Sequence, residues 1–176
     1  AYLGESLRSR QASYSRFVSH IEQQSSEDAL SYWTEYLKGI EPCHFAALEE
    51  GNTLDTEQGK ATIQVTDIDS GAIRALCSEF EITPAVVCQI AWALVLSQFT
   101  ESATSPCFGV VSSGRDVPIP EANTIFGPFI RMLPVRVLLD SEVAVVETLK
   151  TAQRDYIAGT SCPAVSLASI HNALGL

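Results

Sequence analysis

The sequence predicts an α/β layered fold, because helical and strand patterns alternate along the chain. Two apolar runs, Cys107 to Val111 and Leu133 to Leu139, are short, rich in β-branched residues and bounded by Gly and Pro, which is typical of buried strands. The flanking segments carry apolar residues at helical spacing instead. A long, Pro-rich loop joins the two strands, and a long ordered loop inside a compact domain is usually functional.

Two helices are predicted near the start of the chain. The first spans Ser13 to Gln24, and its apolar residues at helical spacing are Phe17, Val18 and Ile21. Ser26 is the expected cap of the second helix, because Glu27 and Asp28 follow in its first turn. Gly39 is expected to end that helix. Its inward face is formed by Ala29, Leu30, Trp33, Tyr36 and Leu37.

The next part of the chain is less regular. Glu41 to Gly59 mixes Pro, Gly, Asn and acidic residues without periodicity, which predicts a linker or surface loop. Ala61 to Thr66 alternates apolar and polar residues, which predicts a strand. Asp69 or Ser70 then begins a helix. The apolar residues of this helix are Ile73, Leu76, Cys77 and Phe80.

Three further helices are predicted. Thr83 followed by Pro84 is a strong helix start, with a capping hydroxyl and a proline at the first helical position. This helix runs to Phe99 and is apolar nearly all round, so we expect it to be buried at the centre of the fold. Val143 to Ile157 is amphipathic, and Pro163 is expected to open the last helix. The inward residues of these two helices are Val146, Leu149 and Ala152, then Val165, Ile170 and Leu174.

Composition excludes several classes of function. A net charge of −10 argues against nucleic-acid binding, which needs a basic face. No apolar run reaches the roughly 18 residues of a membrane span. The five cysteines are widely spaced and never form Cys-x-x-Cys, so a zinc site is not expected. We expect Cys77, Cys88 and Cys107 to be small core residues, and a reduced, cytoplasmic setting is the simplest inference.

The stretch from Phe108 to Val137 contains Phe108-Gly109, Ser113-Gly114-Arg115, Gly127-Pro128-Phe129 and Leu133-Pro134-x-Arg136. These motifs resemble those of the condensation domain of nonribosomal peptide synthetases, in the fungal style. Flanking segments resemble the same family, namely Tyr14-Ser15-Arg16-Phe17, Tyr32-Trp33-x-x-Tyr36-Leu37, the helix around Ala91-Trp92, and 166–176. Each motif alone is weak, but their order and spacing are fairly specific and cover nearly the whole chain.

The resemblance implies one lobe of a two-lobed chloramphenicol-acetyltransferase-like fold, a mixed sheet flanked by helices. Residues 1–60 would form inter-lobe helices and a linker, and 61–176 most of the C-terminal lobe. The implied reaction joins two thioesters, each tethered to the phosphopantetheine of a carrier domain, so that an amide bond forms. Implied partners are peptidyl carrier domains, the N-terminal lobe and an adjacent adenylation domain, with no directly bound cofactor, nucleic acid or membrane.

The family's His-His-x-x-x-Asp-Gly signature does not occur in these 176 residues, whose three histidines are never adjacent. His20, His44 and His171 are therefore expected to be ordinary surface or capped residues, and the 176 residues alone to be inactive. Two alternatives to chain extension stay open, a terminal cyclising domain and a non-catalytic docking platform. A coenzyme A-dependent acyltransferase of the same superfamily is a third reading.

The resemblance suggests which residues form the substrate tunnel and its loop. They are Ser113, Gly114, Arg115, Gly127, Phe129 and Arg131. Each has a structural alternative, since Gly114 permits a tight bend, Arg115 could be a structural hydrogen-bond donor, and Phe129 could be plain core. Many relatives have Asn followed by Thr where this chain has Arg131 and Met132. Either the local pocket is unusual or the Arg131 side chain points to water.

Overall fold

The computed structural model describes residues 13–41, 43–44, 64–66, 68–100 and 104–176. The helices are α1 Ser15–Glu22, α2 Ser26–Tyr36, α3 Ser70–Phe80, α4 Pro84–Phe99, α5 Val145–Ser161 and α6 Leu167–Leu174. Within this described part, β1 Cys107–Ser112 and β2 Arg131–Arg136 form a two-stranded sheet. A single 3₁₀ turn, Ala122–Thr124, lies in the loop between them. Both predicted strands are present, although the second begins and ends earlier than the pattern suggested.

The sheet is antiparallel. Beyond the ends of the strands, the N–H of Val137 donates to the carbonyl of Pro106 and that of Leu139 to the carbonyl of Thr104. The two strands therefore run in opposite directions, as in an antiparallel ladder. β2 buries Leu133 and Val135 on one face, which is the period-2 burial that half-buried strands show.

The described residues fall into two compact units. The first contains 13–40, Phe108–Val135 and Asp155–Leu176, in which α2 packs against α6. The second contains the described residues of 41–107 together with Arg136–Arg154, in which α3 packs against α4. No single helix in the described ranges is long and apolar enough to cross a membrane. α3 and α4 meet that criterion only when taken together, as a pair bent by 108°.

Helix starts show both the strength and the limit of local signals. Of the two predicted starts of α3, Asp69 is the cap, since its carboxylate accepts from the N–H groups of Gly71 and Ala72. The predicted cap of α2 was wrong by one residue, because Ser25 accepts from the N–H of Asp28. Pro163 does not open the last helix, which begins at Leu167 after a capping Ser166. The predicted strand at 61–66 lies partly outside the described residues, and its described part, 64–66, is not a strand.

α4 begins where predicted, but not by the predicted contact. Thr83 occupies the cap position and Pro84 the first helical position, yet the Thr83 hydroxyl makes no cap hydrogen bond. It donates instead to Oε1 of Gln153, which also accepts from the Thr83 N–H, at 3.0 and 2.9 Å. The predicted capping role of the hydroxyl was therefore wrong, because the hydroxyl is hydrogen-bonded to the distant Gln153 side chain instead.

The contact between Thr83 and Gln153 should stabilise the start of α4. Gln153→Met keeps the length of the side chain but removes the acceptor, so the free energy of unfolding should fall by about 1–2 kcal/mol. Gln98→Met, at an exposed position of α4, should change the free energy of unfolding by less than about 0.5 kcal/mol. Urea denaturation of both variants measures the difference. Equal midpoints for the two variants would contradict the assigned contact.

α4 was predicted to be buried at the centre of the fold, but only one stripe of it is buried. Its buried residues are Val86, Gln89, Ile90, Ala93 and Leu96, which lie on one stripe at helical spacing. Opposite them, large apolar side chains are exposed, among them Trp92 at 48% and Phe99 at 67%. α5 follows its prediction more closely, because Leu149 and Ala152 are buried while Lys150 and Arg154 are exposed.

The cysteines are all described, and none forms a disulfide. Cys77 is buried as expected, but Cys88 is exposed on α4, so its predicted place in the core was wrong. Cys107 is half-buried at the start of β1, and its N–H donates to Sγ of Cys43 at 3.3 Å. Burial raises the pKa of the Cys107 thiol to about 11, with Cys43 raising it further and Arg136 opposing.

The raised pKa of Cys107 predicts a stability loss at alkaline pH. The folded protein holds this proton more tightly than the unfolded chain does, so the contribution is complete below the unfolded pKa and disappears as pH rises through about 11. Between pH 9 and 11, wild type should lose about 2 kcal/mol more than Cys107→Ala. Urea midpoints across this range measure the slope. A Cys88→Ala control should keep the wild-type slope, and an unchanged slope in Cys107→Ala would contradict the prediction.

Candidate functional site

The loop between β1 and β2 is organised around the guanidinium of Arg115. Its Nη1 donates to the carbonyls of Ala122 and Ile125 at 2.8 and 3.1 Å, and Nη2 donates to that of Gly127 at 3.4 Å. The guanidinium carbon also lies 4.3 Å from the ring centre of Phe129. The guanidinium therefore connects three backbone carbonyls of the loop, because it supplies several N–H donors in a fixed plane.

Gly114 allows the start of this loop to pass close to its end. Its φ is +63°, in the left-handed region that favours glycine. A Cβ at this position would overlap the backbone carbonyl of Phe129. The residue is buried, so a side chain there could not turn to solvent. Both the backbone angle and the close approach therefore require glycine at position 114.

Gly127 makes a second close approach, to an aromatic ring. A Cβ on Gly127 would overlap the ring of Tyr14, and the hydroxyl of Tyr14 donates to the carbonyl of Pro128 at 2.7 Å. Tyr14 was not among the predicted site residues, although it belongs to a motif of the resemblance. No local pattern joins it to a loop more than a hundred positions later. The Tyr14-Ser15-Arg16-Phe17 motif was the available signal, and it does not indicate which part of the chain Tyr14 contacts.

Phe129 lies in the core and also borders a cavity. It is 2% exposed and packs on Phe17 with ring centres 4.1 Å apart, beside Ile125. Tyr14 meets the Phe129 ring edge-on at 5.8 Å. Aromatic pairs in these arrangements add to the stability gained from burial alone. Phe129 is therefore a core residue that also borders the cavity, and its role in a substrate tunnel stays a prediction.

Ser113 is exposed, and its Oγ accepts from the N–H of Arg115 at 3.4 Å. This contact turns the chain out of β1 toward the loop. The preceding Ser112 is buried at the end of the strand. The structure therefore gathers five of the six predicted site residues, Gly114 to Arg131, around one loop base, and leaves Ser113 at its surface.

A cavity of about 390 Å³ lies within the first unit. Its apolar lining includes Phe17, Ile21, Val117, Pro118, Phe129 and Ile130, and its polar lining includes His20, Gln24, Asp116, Arg131, Thr160 and Cys162. Cavities of this size that combine apolar walls with convergent polar groups commonly bind small molecules. Four short segments of the chain thus line an open space next to the loop.

Arg131 does not point to water. Its Nη1 donates to the carbonyl of Thr160 at 3.1 Å and its Nη2 to that of Cys162 at 2.8 Å, so it ties the start of β2 to the end of α5. Burial lowers the pKa of the Arg131 guanidinium, and the neighbouring Cys162 thiol opposes that change. The same burial raises the pKa of Cys162. Of the two alternatives, an unusual local pocket is the one that the geometry supports.

A family model described as Condensation domain matches residues 1–175. The chain belongs to the condensation-domain family. It is 38% identical over 164 residues to nonribosomal peptide synthetase dtxS1 of Metarhizium robertsii, covering 93% of this chain and 2% of the synthetase. It is 39% identical over 165 residues to nonribosomal peptide synthetase 5 of Gibberella zeae, again covering 93% of this chain and 2% of the relative. The predicted family is confirmed, and the chain spans a small part of these relatives.

Solved structures share the fold of this condensation-domain chain at low identity. The EpoB cyclization-docking bidomain from Sorangium cellulosum matches with a TM-score of 0.72 and 19% identity, over 99% of this chain and 37% of that one. SgcC5 from Streptomyces globisporus matches with a TM-score of 0.69 and 13% identity, over 99% and 40%. The X-domain from teicoplanin biosynthesis matches with a TM-score of 0.60 and 20% identity, over 92% and 36%. The predicted chloramphenicol-acetyltransferase-like α/β fold is confirmed.

The histidines of this condensation-domain chain lie apart from one another along it. His20 is half-buried on α1, lines the cavity, and its Nε2 lies 3.0 Å from Nε2 of Gln24. His44 is exposed, and His171 is exposed in the last turn of α6. Within the described ranges no group of three or more His, Cys, Asp or Glu side chains is placed to hold a metal ion.

Proposed function

We propose that this chain is part of a domain that forms an amide bond between two carrier-bound thioesters. The family match over 175 of 176 residues carries the proposal. In such a reaction the amine of one tethered group attacks the thioester carbonyl of the other. The thiol of the donor's carrier arm leaves, and the amine loses one proton. Holding both tethered reactants in line supplies much of the rate, because a bimolecular step becomes effectively unimolecular.

In this proposal the chain contributes a rigid wall rather than the reacting groups. Gly114, Arg115, Gly127, Phe129 and Arg131 would shape the tunnel along which the tethered substrates meet. The hydrogen bonds of Arg115 to three carbonyls support this role, because they fix the loop without using a substrate. Ser113, exposed at the loop start, would face the substrate path.

We assign 1–60 to inter-lobe helices and linker, and 61–176 to the C-terminal lobe. Peptidyl carrier domains, an N-terminal lobe and an adenylation domain would be the partners, and phosphopantetheine would arrive on the carriers. A reduced, cytoplasmic compartment suits five thiols that form no disulfide. The substrates, partners and compartment rest on the relatives, which are large synthetases of which this chain covers about 2%.

The decisive experiment is a condensation assay on the intact synthetase module. Donor and acceptor carriers are loaded with different amino acids, and the amide product is detected by mass spectrometry. We expect product from a module whose sequence includes an intact His-His-x-x-x-Asp-Gly, and none from the 176 residues alone. Absence of product from the intact module with every loaded pair would refute the proposed function.

A non-catalytic docking platform is the second candidate. It is favoured by the fold similarity to the X-domain from teicoplanin biosynthesis, which has been solved in complex with OxyB. A degenerate histidine motif in the complete domain, with retained binding of a partner enzyme, would support this reading. Cyclisation is a third, suggested by the cyclization-docking bidomain. A cyclic rather than linear product in the same assay identifies it.

A further inference from the structure

The cavity beside α1 is lined by the cationic side chain of Arg131. In the described part of the chain, Arg131 makes no ion pair, and both of its hydrogen bonds go to backbone carbonyls. Asp116 is the acidic residue of the lining, but it is exposed and does not pair with Arg131. Half-buried cations are costly unless an opposite charge compensates them.

The end of α5 compensates only part of this charge. The carbonyls of Thr160 and Cys162 lie at the C-terminus of that helix, where the aligned peptide dipoles amount to roughly half a negative charge. Arginine stays protonated near neutral pH even when burial lowers its pKa somewhat. This helix end therefore compensates the Arg131 guanidinium only in part, and the exposed Asp116 lines the same cavity without pairing with it.

The guanidinium also has unused donors. Of its five N–H groups, two donate to these carbonyls, and the other three have no partner among the residues that the structure describes. The apolar residues of the same lining include Phe17, Ile21 and Phe129, beside the polar His20 and Gln24. A volume of about 390 Å³ suits a group of amino-acid size, and the lining suits an apolar body that ends in an anion.

We propose that this cavity binds a carboxylate-bearing acyl or aminoacyl group, with the carboxylate on the guanidinium of Arg131. The inference rests on the proposed function and deepens it, because it names the substrate class of the same domain. Planar guanidinium and planar carboxylate match in shape and pair through charge-assisted hydrogen bonds. The carboxylate could arrive on the donor or on the acceptor carrier, and both sources share this chemistry.

The first test needs no variant. In the intact module, the donor carrier is loaded with glutamate or glutamine while the acceptor stays fixed, and the reverse pairing forms the second arm. Glutamate and glutamine have the same shape and differ in charge. We expect kcat/KM to favour the glutamyl group by about tenfold or more in one arm, which also identifies the source. Amide products formed with no such preference in either arm would overturn the inference and leave the proposed function intact.

The second test assigns the preference to Arg131. Arg131→Met should reduce the glutamyl-to-glutaminyl ratio to about one, and Arg131→Lys should retain part of it, because lysine keeps the charge without the fork. Arg74→Met removes an exposed arginine of α3 and should keep the wild-type ratio. An unchanged ratio in Arg131→Met would overturn the assignment. If no pair yields product, the proposed function fails and the inference fails with it.

Discussion

Gly114→Ala is expected to destabilise the protein by about 3–5 kcal/mol. A left-handed φ of +63° already disfavours a Cβ. The added methyl group would then overlap the carbonyl of Phe129, which is backbone and cannot rotate away as a side chain could. Relief requires the start and the end of the loop to separate, and that movement disrupts the contacts of Arg115.

Gly39→Ala is the matched control for this substitution. Gly39 has a similar φ of +71°, but a Cβ there would meet nothing within 4 Å. It should therefore lose only the conformational cost, about 1 kcal/mol. Urea unfolding of both variants separates backbone conformation from steric overlap. If the two variants lost equal stability, the close approach of Gly114 to Phe129 would be refuted.

Gly109 shows why the identity of the neighbouring atom matters. A Cβ on Gly109 would lie 2.8 Å from Sδ of Met132, a distance that Cβ atoms in real structures essentially never show. Met132 is an exposed, unbranched side chain with several rotatable bonds, so it can move aside at little cost. Two glycines on or beside the same strand thus differ in tolerance, and the motif spacing alone could not distinguish them.

Elements set by nearby residues were predicted well from the sequence. The Asp69 cap, the Pro84 helix start and the inward stripe of α5 depend on side chains within a few positions. The error at α2 has the same origin, because Ser25 and Ser26 are adjacent hydroxyls and either could cap. Local patterns therefore decide that a helix begins, and they locate its first residue to within one or two positions.

Contacts distant in sequence could not be predicted. Gln153 lies 70 positions from Thr83, and no periodicity in the sequence indicates that the Thr83 hydroxyl donates to Gln153 instead of capping α4. α4 is apolar nearly all round, and of its two glutamines Gln89 is buried and Gln98 exposed, so its sequence does not indicate which stripe the neighbours cover. Arg131 was expected either to face water or to mark an unusual pocket, and the carbonyls of Thr160 and Cys162 resolved that choice.

Arg115→Met is expected to lower the stability of the protein by about 2–4 kcal/mol and to loosen the loop between β1 and β2. Methionine keeps much of the apolar stem, so the loss reports the guanidinium rather than the packing volume. Three carbonyls, those of Ala122, Ile125 and Gly127, would lose a charged donor. The cation above the Phe129 ring, worth about 0.5–2 kcal/mol, would be lost as well.

The matched control for Arg115 is Arg154→Met, because Arg154 is exposed on α5 and bonds only to the Thr151 hydroxyl among the described hydrogen bonds. It should change stability by less than about 0.5 kcal/mol.

Hydrogen exchange of the N–H groups from Ala122 to Ile125 gives a local readout of the loop. Those protons should exchange faster in Arg115→Met than in wild type, without denaturant and at a pH where both proteins are folded. The exchange rates of Arg115→Lys should lie between those of wild type and Arg115→Met, because one ammonium group cannot donate to all three carbonyls as the planar guanidinium does. Equal exchange in Arg115→Met and wild type would show that the loop holds its shape without the cation, and its order would then have to come from the Phe17, Ile125 and Phe129 cluster alone.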